Sequence, residues 1–88
     1  MNALEARELV NNVLLKNPII AKAYDITIAA IERNSMSGKC YIILDNELYN
    51  YSPDIRKAIK HMLLAEGYKS YIGEDLGKLY DGREYMVW

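Results

Sequence analysis

The sequence has few cysteines and histidines, almost no net charge and no long apolar run, and each of these shortages excludes a class of site or partner. It contains one cysteine and one histidine, so the chain can form no intramolecular disulfide and no cysteine-based metal cluster. The formal net charge of −1 lacks the basic excess of a protein that binds nucleic acid or a membrane surface through its overall charge. No run approaches the roughly 18 apolar residues of a membrane span. We therefore expect neither nucleic acid nor a membrane as a partner.

Phenylalanine is absent, whereas tyrosine occurs eight times and tryptophan once. A hydrophobic fraction of 51% in 88 residues predicts a packed domain whose core is thin. Tyrosine combines an apolar ring with a polar hydroxyl, which suits half-buried positions. The tyrosines are therefore expected at the rim of this core or on a surface that meets a ligand or partner.

The first third of the chain is predicted to be helical. Asn2 and Glu5 have the spacing of a capping box, and the first helix should end near Lys16. Residues 17–18, Asn-Pro, then either start a second helix over 18–33 or kink one long helix. Apolar residues recur at helical spacing in both segments, at Leu4, Val10, Val13 and Leu14 in the first and at Ile20, Tyr24, Ile28 and Ile31 in the second.

The middle of the chain predicts a strand, a loop and a third helix. Residues 39–44 are apolar on both faces, Cys40 included, which favours a central strand covered on both sides. Residues 45–51 are expected to form a loop. Ser-Pro-Asp at 52–54 is a strong helix start, and Gly67 is a typical residue just beyond a helix end. The apolar stripe of this helix consists of Ile55, Ala58, Ile59, Met62 and Leu63.

Two more strands are predicted at 68–72 and 84–88, with a turn signal at Asp81-Gly82. The element order is α-α-β-α-β-β, an α/β (α+β) fold in which helices pack on a three-stranded mixed sheet. Residues 39–72 are interpreted as a right-handed crossover with two parallel strands. The last strand should run antiparallel to them, either at the sheet edge or between them. We expect a single domain over 1–88, with a helical part at 1–33 and a βαββ unit at 39–88.

Catalytic machinery is not visible in the sequence. His61 lies mid-helix and Cys40 lies in a predicted core strand, so no nucleophile and base can be paired. Glycine-rich phosphate loops and zinc motifs are absent as well. We therefore expect no enzyme activity and no cofactor.

Acidic residues follow two of the predicted strands. Asp45 and Glu47 follow the first, and Glu74 and Asp75 follow the second. Parallel strands would bring all four to one sheet edge, where open α/β sheets bind ligands. Their oxygens would suit Mg²⁺ or Ca²⁺, which makes a metal-dependent enzyme an alternative hypothesis. The simpler interpretation is that loops are acidic because they are solvated.

Basic residues cluster on the predicted third helix. The candidate positions for binding an anionic ligand or an acidic partner are Arg56, Lys57, Lys60, His61 and Lys69, with Tyr49 and Tyr51 nearby. A solvated amphipathic face would have the same pattern.

The C-terminal half, residues 39–88, resembles small uncharacterised early proteins of tailed bacteriophages that are not part of the virion. The resemblance depends on Leu-Leu-Ala-Glu-Gly-Tyr at 63–68 and on Tyr-Met-Val-Trp at 85–88. It implies a non-catalytic protein that binds and inhibits or redirects a host component, such as a defence system, in the host cytoplasm. A structural or assembly component of the virion is the alternative, and no functional residues carry over.

The predicted first helix presents an apolar row at Val10, Val13 and Leu14. A helix of about fifteen residues is marginal in water and needs a surface to pack on. The second face of its own sheet could supply that surface. We expect instead that a second copy of the chain covers it, which makes the protein a homo-oligomer.

Overall fold

The computed structural model describes residues 1–72 and 82–88. Within them the chain forms α1 (Ala3–Leu14), α2 (Pro18–Met36), β1 (Tyr41–Ile43), α3 (Leu44–Glu47), α4 (Pro53–Ala65), β2 (Lys69–Ile72) and β3 (Glu84–Val87). Helices pack against a three-stranded sheet, so the predicted α+β class is confirmed. Among the described residues, no helix combines the length and apolar character that a membrane crossing requires.

The helix starts are fixed by the capping residues that the sequence indicates. The Asn2 side chain accepts a hydrogen bond from the Glu5 amide at 2.8 Å, and the Asn17 side chain accepts one from Ile19 at 2.9 Å. The second cap separates α1 from α2, so the chain forms two helices rather than one kinked helix. The Ser52 hydroxyl caps α4 in the same way.

The sheet order is β1-β3-β2, with β3 antiparallel to both neighbours. β1 and β2 therefore run parallel, as the crossover interpretation predicts, but β3 lies between them. Of the two positions left open for the last strand, the inserted one is correct. Both pairings of the described sheet are therefore antiparallel, and the sheet is not mixed as expected. The predicted central position of the first strand is wrong, because β1 lies at an edge of the described sheet. The turn signal at Asp81 lies outside the described residues.

Three local predictions also need correction. The first strand is shorter than 39–44, because residues 39–40 precede it and Leu44 already begins α3. The expected loop at 45–51 therefore starts with a short helix. Cys40 is exposed rather than buried, although its backbone carbonyl accepts a hydrogen bond from the Trp88 amide at 3.0 Å.

The core lies between the sheet, α2 and α4. Its fully buried large side chains are Ile42, Leu44, Leu48, Ile59, Met62, Leu63, Met86 and Thr27. Thr27 is polar and was therefore not predicted to be a core residue. Its hydroxyl donates a hydrogen bond to the Ala23 carbonyl one turn earlier, at 2.9 Å. That bond satisfies the hydroxyl within its own helix, so a polar residue is accommodated in the core.

Candidate binding surfaces

Arg56, one of the predicted ligand residues, is engaged inside the protein. Its guanidinium donates to the carbonyl of Tyr51 at 2.6 Å and to that of Leu48 at 3.5 Å. Its Nε also lies 3.9 Å from an Asp45 carboxylate oxygen. Arg56 therefore fastens the segment after α3 to the first turn of α4.

Lys60 is also paired. Its Nζ lies 2.7 Å from Oε1 of Glu84 on β3, and the hydroxyl of Ser70 on β2 donates to the same oxygen. Two strands and α4 thus meet at one carboxylate. An anion at Lys60 would have to compete with this internal partner.

Four of the predicted basic residues do line one cavity of about 380 Å³, namely Arg56, Lys57, Lys60 and His61. Asp45 and Glu84 line it too, so the cavity contains charges of both signs. Within the described part of the chain, Lys57 has no acidic partner. Three other candidates, Lys69, Tyr49 and Tyr51, do not line the cavity.

The acidic residues predicted to share one sheet edge do not form a single cluster, because the two described ones pair with different arginines. Asp45 faces Arg56, whereas Glu47 pairs with Arg33 of α2 at 3.0 Å. Glu74 and Asp75 lie outside the described residues. In residues 1–72 and 82–88, no group of three or more potential ligand side chains is placed to hold a metal ion.

A groove of about 410 Å³ runs between α1 and α4, which we call the α1 groove. Its lining residues are Ala6, Arg7, Val10 and Asn11 from α1, and His61, Leu64 and Ala65 from α4. No residue of α1 is buried. Val10 and Val13 are each 57% exposed and Leu9 is 54% exposed, whereas Leu14 is half-buried against the core. α1 therefore anchors through Leu14 and leaves much of its apolar surface in water.

A third and smaller pocket, of about 180 Å³, was not predicted from the sequence and is lined by Glu66, Gly67, Tyr68 and Trp88. We call it the aromatic corner. The rings of Tyr68 and Trp88 meet nearly at right angles, at 79°, with centroids 5.9 Å apart. Gly67 ends α4 with a φ of +101°, a conformation that favours glycine. The Gly-Tyr pair after a helix was visible in the sequence, but its proximity to Trp88 was not.

The hydroxyl of Tyr24 on α2 completes the surroundings of Glu66. It donates to the carboxylate at 2.6 Å. Burial and this hydrogen bond raise the pKa of Tyr24 well above the ordinary tyrosine value. Burial and the charge of Glu66 also raise the pKa of Tyr68. Both phenols therefore stay neutral beside one carboxylate.

Comparison of the chain with family models, curated proteins and solved structures gives no match. Function is therefore inferred from the geometry of these surfaces.

Proposed function

We propose that this chain is a non-catalytic binding protein that self-associates through the apolar surface of α1 and acts stoichiometrically on a host component. The observation that carries the proposal is the exposure of Leu9, Val10 and Val13 on one short helix beside the α1 groove. Adjoining apolar surface of this kind is typical of sites that bind other polypeptides. The resemblance to small phage proteins adds the host cytoplasm as the place of action.

The energetics favour a covered α1. Each large apolar side chain gains roughly 1.5–3 kcal/mol when it moves from water into a packed interface. α1 has only 12 residues and no buried position, so its own hydrogen bonds leave it marginal. A second copy of the chain presents the same apolar row, which makes a two-fold symmetric contact possible. Such a contact would bury Val10 and Val13 on both copies at once.

The double variant Val10→Glu/Val13→Glu is expected to be monomeric at tens of micromolar, where the parent chain is a dimer or larger. Four carboxylates would otherwise enter one apolar contact, and their desolvation is costly. Sedimentation velocity measures the oligomeric state of the parent chain and of the double variant. Met36→Glu is the matched control, because Met36 is 89% exposed at the far end of α2 and should leave the assembly intact. A strictly monomeric parent chain would contradict self-association.

The host component is sought with tagged parent chain and variants in a bacterial lysate, followed by mass spectrometry. We expect one host protein in stoichiometric amount with the parent chain and with Met36→Glu. Lys57→Glu should reduce its capture several-fold if the charged cavity of α4 contacts it, because reversal of a close charge weakens such complexes. Recovery of the chain with phage particles instead would favour a virion component. Equal capture by every variant would contradict a specific surface.

A further inference from the structure

We propose that the aromatic corner is a binding site for an alkylated ammonium cation, such as a trimethylammonium group. Two ring walls and one carboxylate meet there around an open space of about 180 Å³. The site is separate from the α1 groove and does not depend on self-association.

The rings supply the first part of the recognition. The faces of Tyr and Trp rings carry partial negative charge, so a cation within about 6 Å of a ring centroid is attracted to it. Tyr68 and Trp88 meet edge to face at 79°, so the two rings form a corner rather than one flat surface. A roughly spherical organic cation can contact both walls at once.

The carboxylate supplies the second part. Among the described residues, the Glu66 side chain accepts one hydrogen bond, which Tyr24 donates to Oε1, and a carboxylate can accept several. No lysine or arginine of the described segments pairs with Glu66. Its negative charge is therefore uncompensated by the described residues at the edge of the pocket. A bound cation would neutralise it.

The shape of the site selects an organic cation over a metal ion. Mg²⁺ and Ca²⁺ are bound by oxygen ligands, whereas ring faces form much of this pocket and Glu66 supplies its one carboxylate. A primary ammonium keeps its water strongly, while methyl groups lower the cost of desolvation and pack on the rings. At Gly67 a Cβ atom would meet nothing within 4 Å, so the space beside this residue is open.

Choline and its neutral isostere 3,3-dimethylbutan-1-ol test the proposal as a matched pair. Trp88 is the only tryptophan of the chain, so its fluorescence reports directly on the pocket. At constant ionic strength we expect a saturable change with choline in the millimolar range and at least a fivefold weaker response to the neutral isostere. A cation–π contribution of about 1–2 kcal/mol corresponds to roughly that difference or more. The amide shift of Gly67 in NMR spectra gives a second reading.

Two variants assign the interaction to its parts. Glu66→Gln should weaken choline binding about fivefold or more, because an uncompensated charge is removed from the rim. Tyr68→Leu should abolish saturation, because one wall is lost. Glu32→Gln, an exposed position of α2, is the control and should bind as the parent does. Equal responses to choline and its isostere, or unchanged binding in folded Glu66→Gln, would overturn the proposal.

Discussion

Ile59→Asp is expected to abolish the cooperative thermal unfolding transition of this protein. Ile59 is fully buried at the centre of α4, packed among the core residues. Removal of a buried isoleucine side chain alone costs about 2–5 kcal/mol. An unpaired carboxylate at the same place adds its desolvation cost, and small domains have only about 5–15 kcal/mol of stability. The loss should therefore leave the chain unfolded at 25 °C, as circular dichroism would measure.

Lys57→Asp is the matched control for this experiment. It introduces the same carboxylate two residues earlier on α4, at an exposed position. Its melting temperature should stay within a few degrees of the parent value, because surface substitutions usually change stability by less than about 0.5 kcal/mol. A cooperative melt of Ile59→Asp near the parent temperature would contradict the assignment of the apolar stripe.

Arg56→Met is expected to lower the free energy of unfolding by about 2 kcal/mol. This value lies within the usual range for hydrogen bonds that involve a charged group. The guanidinium is the donor to the carbonyls of Tyr51 and Leu48, and methionine keeps much of the side-chain volume without donating. Urea denaturation measures the loss. The salt dependence should be modest, because the bonds go mainly to neutral carbonyls.

Lys57→Met separates this effect from the removal of a positive charge. Lys57 neighbours Arg56 but is exposed and has no acidic partner in the described part of the chain. Its stability should change by less than about 0.5 kcal/mol. An equal loss of unfolding free energy in the two variants would mean that Arg56 stabilises the fold through its charge. It would contradict the role of its hydrogen bonds to Tyr51 and Leu48 in holding the segment before α4.

The helices were the most predictable part of this fold. α4 begins at Pro53 after a serine cap, and its three buried residues, Ile59, Met62 and Leu63, all belong to the predicted stripe. These signals are local: a cap needs three residues and a stripe needs two turns. α2 extends three residues beyond the predicted end because Asn34 and Ser35 continue the helix before Gly38.

The sheet was less predictable because strand order is a long-range property. Residues 39–44 are apolar on both faces, which suggested a covered central strand. The chain instead uses these residues in two ways, with Ile42 buried in β1 and Leu44 buried in α3. Cys40 was assigned to the core by alternation alone, and alternation fails where the strand has not yet begun.

The candidate sites divide along the same line. The sequence shows that basic residues cluster on one helix, and the structure places four of them around one cavity. The sequence does not show that Lys60 pairs with Glu84 or that Tyr24 bonds to Glu66, because these partners lie far apart along the chain. The pairing decides which charges are compensated within the fold, so the sequence alone overstated the basic surface and missed the carboxylate of the aromatic corner.

The central position of β3 has a consequence for how the chain acquires its structure. β1 and β2 are synthesised before β3, and in the described sheet each pairs with that later strand. The pairing of Tyr41 with Val87 closes a long loop. The entropic cost of closing that loop slows the formation of this pair. While β3 is still in the ribosome, both earlier strands expose unpaired edges that can pair with other nascent chains. Neither β1 nor β2 can therefore make its pairing in the described sheet before β3 is available.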